Sequence, residues 1–163
     1  MILIKKLLKK YIRMYPYEKS PKRALRFLKE GGDVFSNNNW LGQNADSYAI
    51  YGYSYGGGLA STYTGGTRTN QGTTFTAGDI IGVAVDCDNM AIYFSKNGTW
   101  MSNASSVQGV PTSGSSKTGS LYSFTPGADT YHFGCTLYQA DSELSANFGN
   151  GYFGTTAVSS AQN

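Results

Sequence analysis

Between Gly78 and Trp100 the chain reads GDIIGVAVDCDNMAIYFSKNGTW, a pattern that few folds accept. Ile81, Val83, Val85 and Cys87 share one parity, and Ile80, Gly82, Ala84 and Asp86 take the other. Residues 80–87 therefore read as a strand with one apolar face. Asp88-Asn89 supplies a turn. Ala91–Lys96 alternates again and stops at Asn97-Gly98, a two-residue hairpin signal because both positions accept positive φ. An antiparallel hairpin with one greasy face needs a second sheet to cover it.

The rest of the chain supplies that sheet. Ser47–Tyr55 reads as a strand, with Tyr51, Tyr53 and Tyr55 on one parity and Tyr48 and Ile50 on the other, ended by Gly56-Gly57-Gly58. Thr73–Thr76 is a short strand, and Leu121–Phe124, Tyr131–Gln139 and Glu143–Phe148 are closing strands. Met101–Ser120, rich in Ser, Thr and Gly, reads as a long surface loop. With 163 residues, 21 Gly and 14% charged residues, the chain suits one turn-dense all-β domain, a two-sheet antiparallel β-sandwich.

The first thirty residues differ. They carry ten Lys/Arg against two Glu, +8, whereas residues 31–163 carry three against eight, −5. Ile4, Leu7, Leu8, Tyr11, Ile12 and Tyr15 fall at helical spacing opposite Lys5, Lys6, Lys9, Lys10 and Arg13. Ser20-Pro21 and Gly31-Gly32 bracket a second short helix. The expected organisation is a basic amphipathic helical arm over 1–30, a sandwich over 31–154 and a loose tail over 155–163. MILIKKLLKK lacks the uninterrupted apolar run of a secretory signal, and no stretch reaches the ~18 apolar residues of a membrane span. Synthesis in the cytoplasm is expected.

The central stretch resembles the signature of the SPRY (B30.2-like) domain: Gly78-Asp79, Gly82, Asp86, Asp88, then Ile92-Tyr93-Phe94, then Asn97-Gly98. Asp46–Gly52 is similar to an early family strand, although without its Trp-Gly pair. Tyr131–Leu137 with Ala146-Asn147-Phe148-Gly149 is similar to the closing strands. The resemblance runs from about Asn37 to Phe153. It implies a SPRY/concanavalin-like jelly roll and recognition of a protein or peptide by loops at one end. The matched positions Gly78, Asp79, Gly82, Asp86, Asp88, Asn97, Gly98 and Phe148 are scaffold in that reading. The Ser/Thr/Gly/Asn-rich style looks most like SPRY domains of bacteriophage structural proteins, which would place the chain in a virion. The family's opening strands are not legible here; they are either lost or replaced by the helical arm. Met90 stands where the family favours glycine, so a turn needing positive φ there would be strained.

Catalytic constellations are scarce. His132, the single histidine, sits in an ordinary strand, and Cys135 three residues on points to the opposite face. Asp86 and Asp88 resemble a metal-binding pair, but they flank a turn and lack the later ligands of a calcium loop. Asp141 and Glu143 are a weak candidate for paired acids. Gly149–Gly154 matches a dinucleotide-binding pattern without the helix that pattern needs. Cys87 and Cys135 read as buried thiols. The expectation is a non-enzymatic module with no cofactor and no metal. Its candidate ligand residues are the aromatics Trp40, Tyr51, Tyr53, Tyr55, Trp100 and Tyr122 with Arg68, the one arginine after residue 30. The ligand is a protein or peptide, with a glycan as the alternative. A neighbouring subunit along an open sheet edge is a further partner, and nucleic acid or membrane enters only through residues 1–30.

Overall fold

The computed structural model describes residues 8–14, 23–29, 41–45, 47–54, 57–124, 131–137, 144–147, 152–153 and 156–157. The strands are β1 (Leu8–Met14), β2 (Arg23–Lys29), β3 (Ser47–Tyr51), β4 (Ser61–Thr64), β5 (Thr67–Asn70), β6 (Ile80–Asp86) and β7 (Ala91–Lys96). They continue with β8 (Thr99–Trp100), β9 (Tyr122–Ser123), β10 (Tyr131–Leu137), β11 (Leu144–Asn147), β12 (Tyr152–Phe153) and β13 (Thr156–Ala157). Among the described residues, helical structure is confined to a single 3-10 turn at Gly114–Ser116.

Two antiparallel sheets face each other. One runs β11-β1-β6-β7-β8, with β9 also on β7, and the other runs β10-β2-β3-β4-β5; β12 and β13 pair separately. The hairpin forms as its alternation dictates. Val83 lies opposite Phe94 and Val85 opposite Ile92, and these four enter the core with Ile81, Tyr48, Ile50, Phe75, Met101, Leu121 and Phe124. Ala84, Ala91 and Tyr93 take the other face with Trp100. The second hairpin, β4–β5, turns on Gly65-Gly66 with φ of 57° and 74°, a conformation that glycine adopts without a Cβ penalty. The sequence reading passes over this hairpin and places a strand at Thr73–Thr76, where the structure has irregular chain.

The helical arm is not what forms at 8–14 and 23–29. Both segments are strands inside the sandwich: β1 lies between β11 and β6, and β2 between β10 and β3. Seven-residue pieces such as LKKYIRM and RALRFLK satisfy a two-residue period as well as a helical one, and a helix so short is marginal alone. Long-range pairing decides. Leu8 to Arg13 are registered antiparallel on Val85 to Ile80, which closes an edge that β6 would otherwise present to solvent. β1 and β2 thus belong to the same two sheets as the later strands, where the sequence reading placed a helical arm. The remaining residues of the expected arm lie outside the described residues. So does most of the tail after residue 154, although Thr156–Ala157 pairs with Tyr152–Phe153.

Both cysteines are exposed and neither is in a disulfide, which corrects the expectation of buried thiols. The strand ends one residue before Cys87, because the Asp86 carboxylate accepts the N–H groups of Asp88 (3.1 Å) and Asn89 (3.0 Å) and the Asn89 amide (2.8 Å). Cys87 is therefore a turn residue. Cys135 lies on β10, the last strand of its sheet. At Met90 the turn keeps its positive φ, 56°, with a methionine where glycine would be unstrained.

Polar contacts fix the hairpin and join the sheets. Asp79 Oδ2 accepts the Thr76 N–H at 2.8 Å, Lys96 Nζ stands 3.0 Å away, and Asn97 Nδ2 donates to Oδ1 at 2.8 Å. Burial alone would raise the Asp79 pKa, but the Thr76 N–H, Lys96 and Asn97 together outweigh it and hold the carboxyl below its usual value. On the opposite side of the hairpin, the buried Tyr122 hydroxyl shares its hydrogen between the Ala49 (2.7 Å) and Tyr63 (2.9 Å) carbonyls. Burial, partly offset by these bonds and by Thr62, pushes its pKa well up. Tyr93 is fully buried too, yet its hydroxyl has no hydrogen-bond partner among the described residues.

Two stability predictions follow from these contrasts. Tyr122→Phe should lose about 1–2 kcal/mol in urea unfolding, whereas Tyr93→Phe should be neutral or gain up to about 1 kcal/mol. The Asp79 pKa is lower folded than unfolded, so its contribution is present above the unfolded value and lost as pH falls through the folded one. Asp79→Asn should flatten the acid limb of stability against pH and leave the alkaline limb, where Tyr122 ionises more readily unfolded, unchanged.

Candidate binding surface

The chain leaves β3 at Tyr51 and enters β4 at Ser61, which is registered opposite Tyr51. Residues 52–60 therefore connect them at one end of the sandwich. Asn70, at the end of β5, lies opposite Ser61, so residues 71–79 begin at the same end. Gln71 holds these segments together. It is buried; its Nε2 donates to Thr62 Oγ1 (2.8 Å) and the Leu121 carbonyl (3.0 Å), and its Oε1 accepts the Ala104 N–H (3.1 Å). Its own N–H donates to the Ala60 carbonyl at 3.1 Å, and the Gly72 N–H donates to Ser102 O at 2.9 Å.

Residues 101–120 are irregular, as expected, but they are not a free loop. Met101 is buried in the core, and Ser102 and Gln108 bridge. Asn103 Oδ1 accepts the N–H groups of Ser105 (3.0 Å) and Val107 (3.1 Å). The segment crosses the outer face of its sheet so closely that a Cβ at Gly109 would stand 3.2 Å from the Tyr93 ring.

The large apolar side chains that the described residues expose are Tyr53 (36%), Leu59 (43%), Val107 (42%) and Val110 (42%). Tyr53 and Leu59 flank the glycine-rich part of the 52–60 connection. Val107 and Val110 project from the segment that Gln71 holds. Apolar groups left in water on a rigid frame are what a partner covers.

The candidates singled out from sequence are scattered. Tyr53 is exposed on the 52–60 connection. Tyr51 is half-buried; its hydroxyl donates to the Leu41 carbonyl (2.9 Å) and its ring meets the edge of Tyr63 at 4.9 Å. Arg68 lies opposite Tyr63 on the exposed strand β5. Trp100 is half-buried against Tyr93, at 6.4 Å, on the outer face of the other sheet. Tyr122 is a core residue, not a ligand contact, because β9 turns its ring toward Tyr48, 5.3 Å away. Trp40 and Tyr55 lie outside the described residues, as do Asp141, Glu143 and the side chain of His132. Asp86 is occupied as a turn cap, and no group of three or more His, Cys, Asp or Glu among the described residues is placed to hold a metal.

Leu59, Val107, Val110 and Gln71 were not legible as site residues. The first three are lone apolar residues in Gly/Ser-rich connections, a signal that gains meaning only once those connections are known to be packed. Gln71 carries no sequence signal at all. Gln71→Met, which keeps the volume and removes the amide, should cost about 2–3 kcal/mol by leaving the Ala104 N–H and Leu121 carbonyl short of partners. Hydrogen exchange of residues 102–108 should rise in the same variant while β6 and β7 stay protected.

The family model of the SPRY domain matches residues 33–125, more than half of the chain. No curated protein matches the sequence. The crystal structure of the SPRY domain of human HERC1 superposes with a TM-score of 0.57 at 15% identity, covering 85% of this chain and 72% of that one.

Proposed function

This chain belongs to the SPRY domain family, and we propose that it is a non-catalytic module that binds a protein or peptide through the 52–60 and 101–110 connections. SPRY domains are generally protein-interaction modules. The observation that carries the reading is the exposure of Tyr53, Leu59, Val107 and Val110 on two connections whose residues Ala60 and Ala104 are bonded by Gln71. An extended peptide with one or two apolar anchors fits such a surface, since a few buried side chains supply most of an interface's affinity.

A glycan is less well supported. Sugar recognition calls for exposed rings to stack upon, and among the described aromatic candidates only Tyr53 is exposed; Tyr51 and Trp100 are half-buried and Tyr122 is buried. A neighbouring subunit has its best foothold at β5, the end strand of its sheet with all four residues exposed. A strand so short, carrying Arg68, is nevertheless the kind that resists edge pairing. Membrane or nucleic-acid contact through an amphipathic arm loses its basis where β1 and β2 are strands. No helix of the described residues is long and apolar enough to cross a membrane. A place in a phage-type particle rests on the Ser/Thr/Gly/Asn-rich style of the loops.

The test presents the immobilised full chain to a displayed library of random linear peptides and, in parallel, to a glycan array. Enriched peptides should share an apolar residue. Tyr53→Ala and Leu59→Ala should each weaken their binding by roughly tenfold or more, and Trp100→Ala by less than about twofold. Capture of glycans without peptides, or weakening by Trp100→Ala but not by Tyr53→Ala, refutes the reading.

A further inference from the structure

The turn at Asn97-Gly98 closes the central hairpin, and nothing in peptide binding uses it. We propose that Asn97 is a conformation-gated site of spontaneous covalent modification: its carboxamide survives while the hairpin is closed and is lost through a succinimide when the hairpin opens.

The reaction needs only the chain and water. The Gly98 backbone nitrogen gives up its proton and attacks the Asn97 side-chain carbonyl carbon. A ring C–N bond forms, the bond to Nδ2 breaks, and ammonia leaves with the proton. Water then opens the ring at either carbonyl, giving aspartate or isoaspartate at position 97. Gly98 presents no side chain to obstruct the approach, and both residues are exposed. Sequence and exposure alone therefore make this a susceptible bond.

The closed hairpin holds the amide elsewhere. Asn97 Oδ1 accepts the Ile80 N–H at 2.8 Å, and Nδ2 donates to Asp79 Oδ1 at 2.8 Å. The Asn97 backbone N–H donates to the Ile80 carbonyl, also at 2.8 Å. Both ends of the carboxamide are thus tied at the start of β6, to Ile80 and to Asp79 just before it, and the backbone sits in the left-handed region with φ of 49°. For the side-chain carbon to meet the Gly98 nitrogen, both hydrogen bonds of the carboxamide must be released. That requires local opening of the hairpin end.

Conversion would not be silent. An aspartate at 97 puts a second carboxylate where Asp79 had an amide donor, so a hydrogen bond becomes a like-charge contact. Lys96, already 3.0 Å from Asp79, then serves two carboxylates. The closed corner is harder to restore after each conversion, so a molecule that has opened once is marked.

The full chain is incubated in mildly alkaline buffer, native and in concentrated urea, and position 97 is followed by peptide mapping that separates Asn, Asp and isoAsp. In urea Asn97 should convert readily, and in the native chain at least roughly tenfold more slowly. Equal rates in the two conditions overturn the gating, and an Asn97 that stays intact in urea overturns the site. Asn97→Asp, the product made directly, should lower the urea midpoint of the native chain. Adding Asp79→Asn, which returns an amide donor to the corner, should raise that midpoint again; failure to do so overturns the claimed consequence of conversion.

Discussion

The Tyr122 hydroxyl ties one sheet of this sandwich to the other. Tyr122 lies on β9, paired to β7, and gives its hydrogen to the carbonyls of Ala49 and Tyr63 on β3 and β4. Those residues are register partners, so the bond seizes one rung of the opposite ladder. Apolar packing between sheets is non-directional and tolerates small lateral shifts. A buried hydrogen bond does not, because a shift leaves donor and acceptors unsatisfied in a dry interior. With that rung fixed, the exit of β3 and the start of β4 are fixed, and with them the connection that carries Tyr53 and Leu59.

The polar residues of the central signature act in the same directional way at the ends of the hairpin. Asp79 and Asn97 bond to each other, and Asn97 also takes the Ile80 N–H, so the Gly-Asp that opens β6 and the Asn-Gly that closes β7 form one corner. Lys96 reaches across it to the Thr74 carbonyl at 2.9 Å, joining the corner to the 71–79 connection. Asp86 caps the opposite turn. Each offsets its desolvation by bonding local backbone.

How much of this was legible follows from the range of the interactions. The hairpin core at Ile81, Val83, Val85, Ile92 and Phe94 was readable because alternation and a two-residue turn are local. The strands β1 and β2 were not, because seven residues satisfy two periods and only their partners, dozens of residues away, decide between them. Cys87 went wrong by one residue: parity put it on the apolar face, but the Asp86 cap ends the strand first. Tyr122 went wrong differently, since a tyrosine beside a loop looks the same in sequence whether its hydroxyl meets water or a carbonyl of the other sheet. Resemblance named the family; the exposed residues of the candidate site had to be found from burial.

Rigidity is the property that links scaffold and site. Residues 101–120 have almost no regular structure, yet they are held by backbone bonds, by Gln71 and by close contact with Tyr93. A disordered segment of the same composition would lose conformational entropy on binding, of order 1–2 kcal/mol for each backbone residue ordered. Here that cost is met in folding, through polar groups that are saturated before any ligand arrives. In the proposed reading, Val107 and Val110 then add their apolar area to affinity with little loss. The same logic makes the Gly/Ser-rich composition useful rather than loosening: small residues let the segment lie flat on Tyr93 and leave the few apolar side chains standing proud of it.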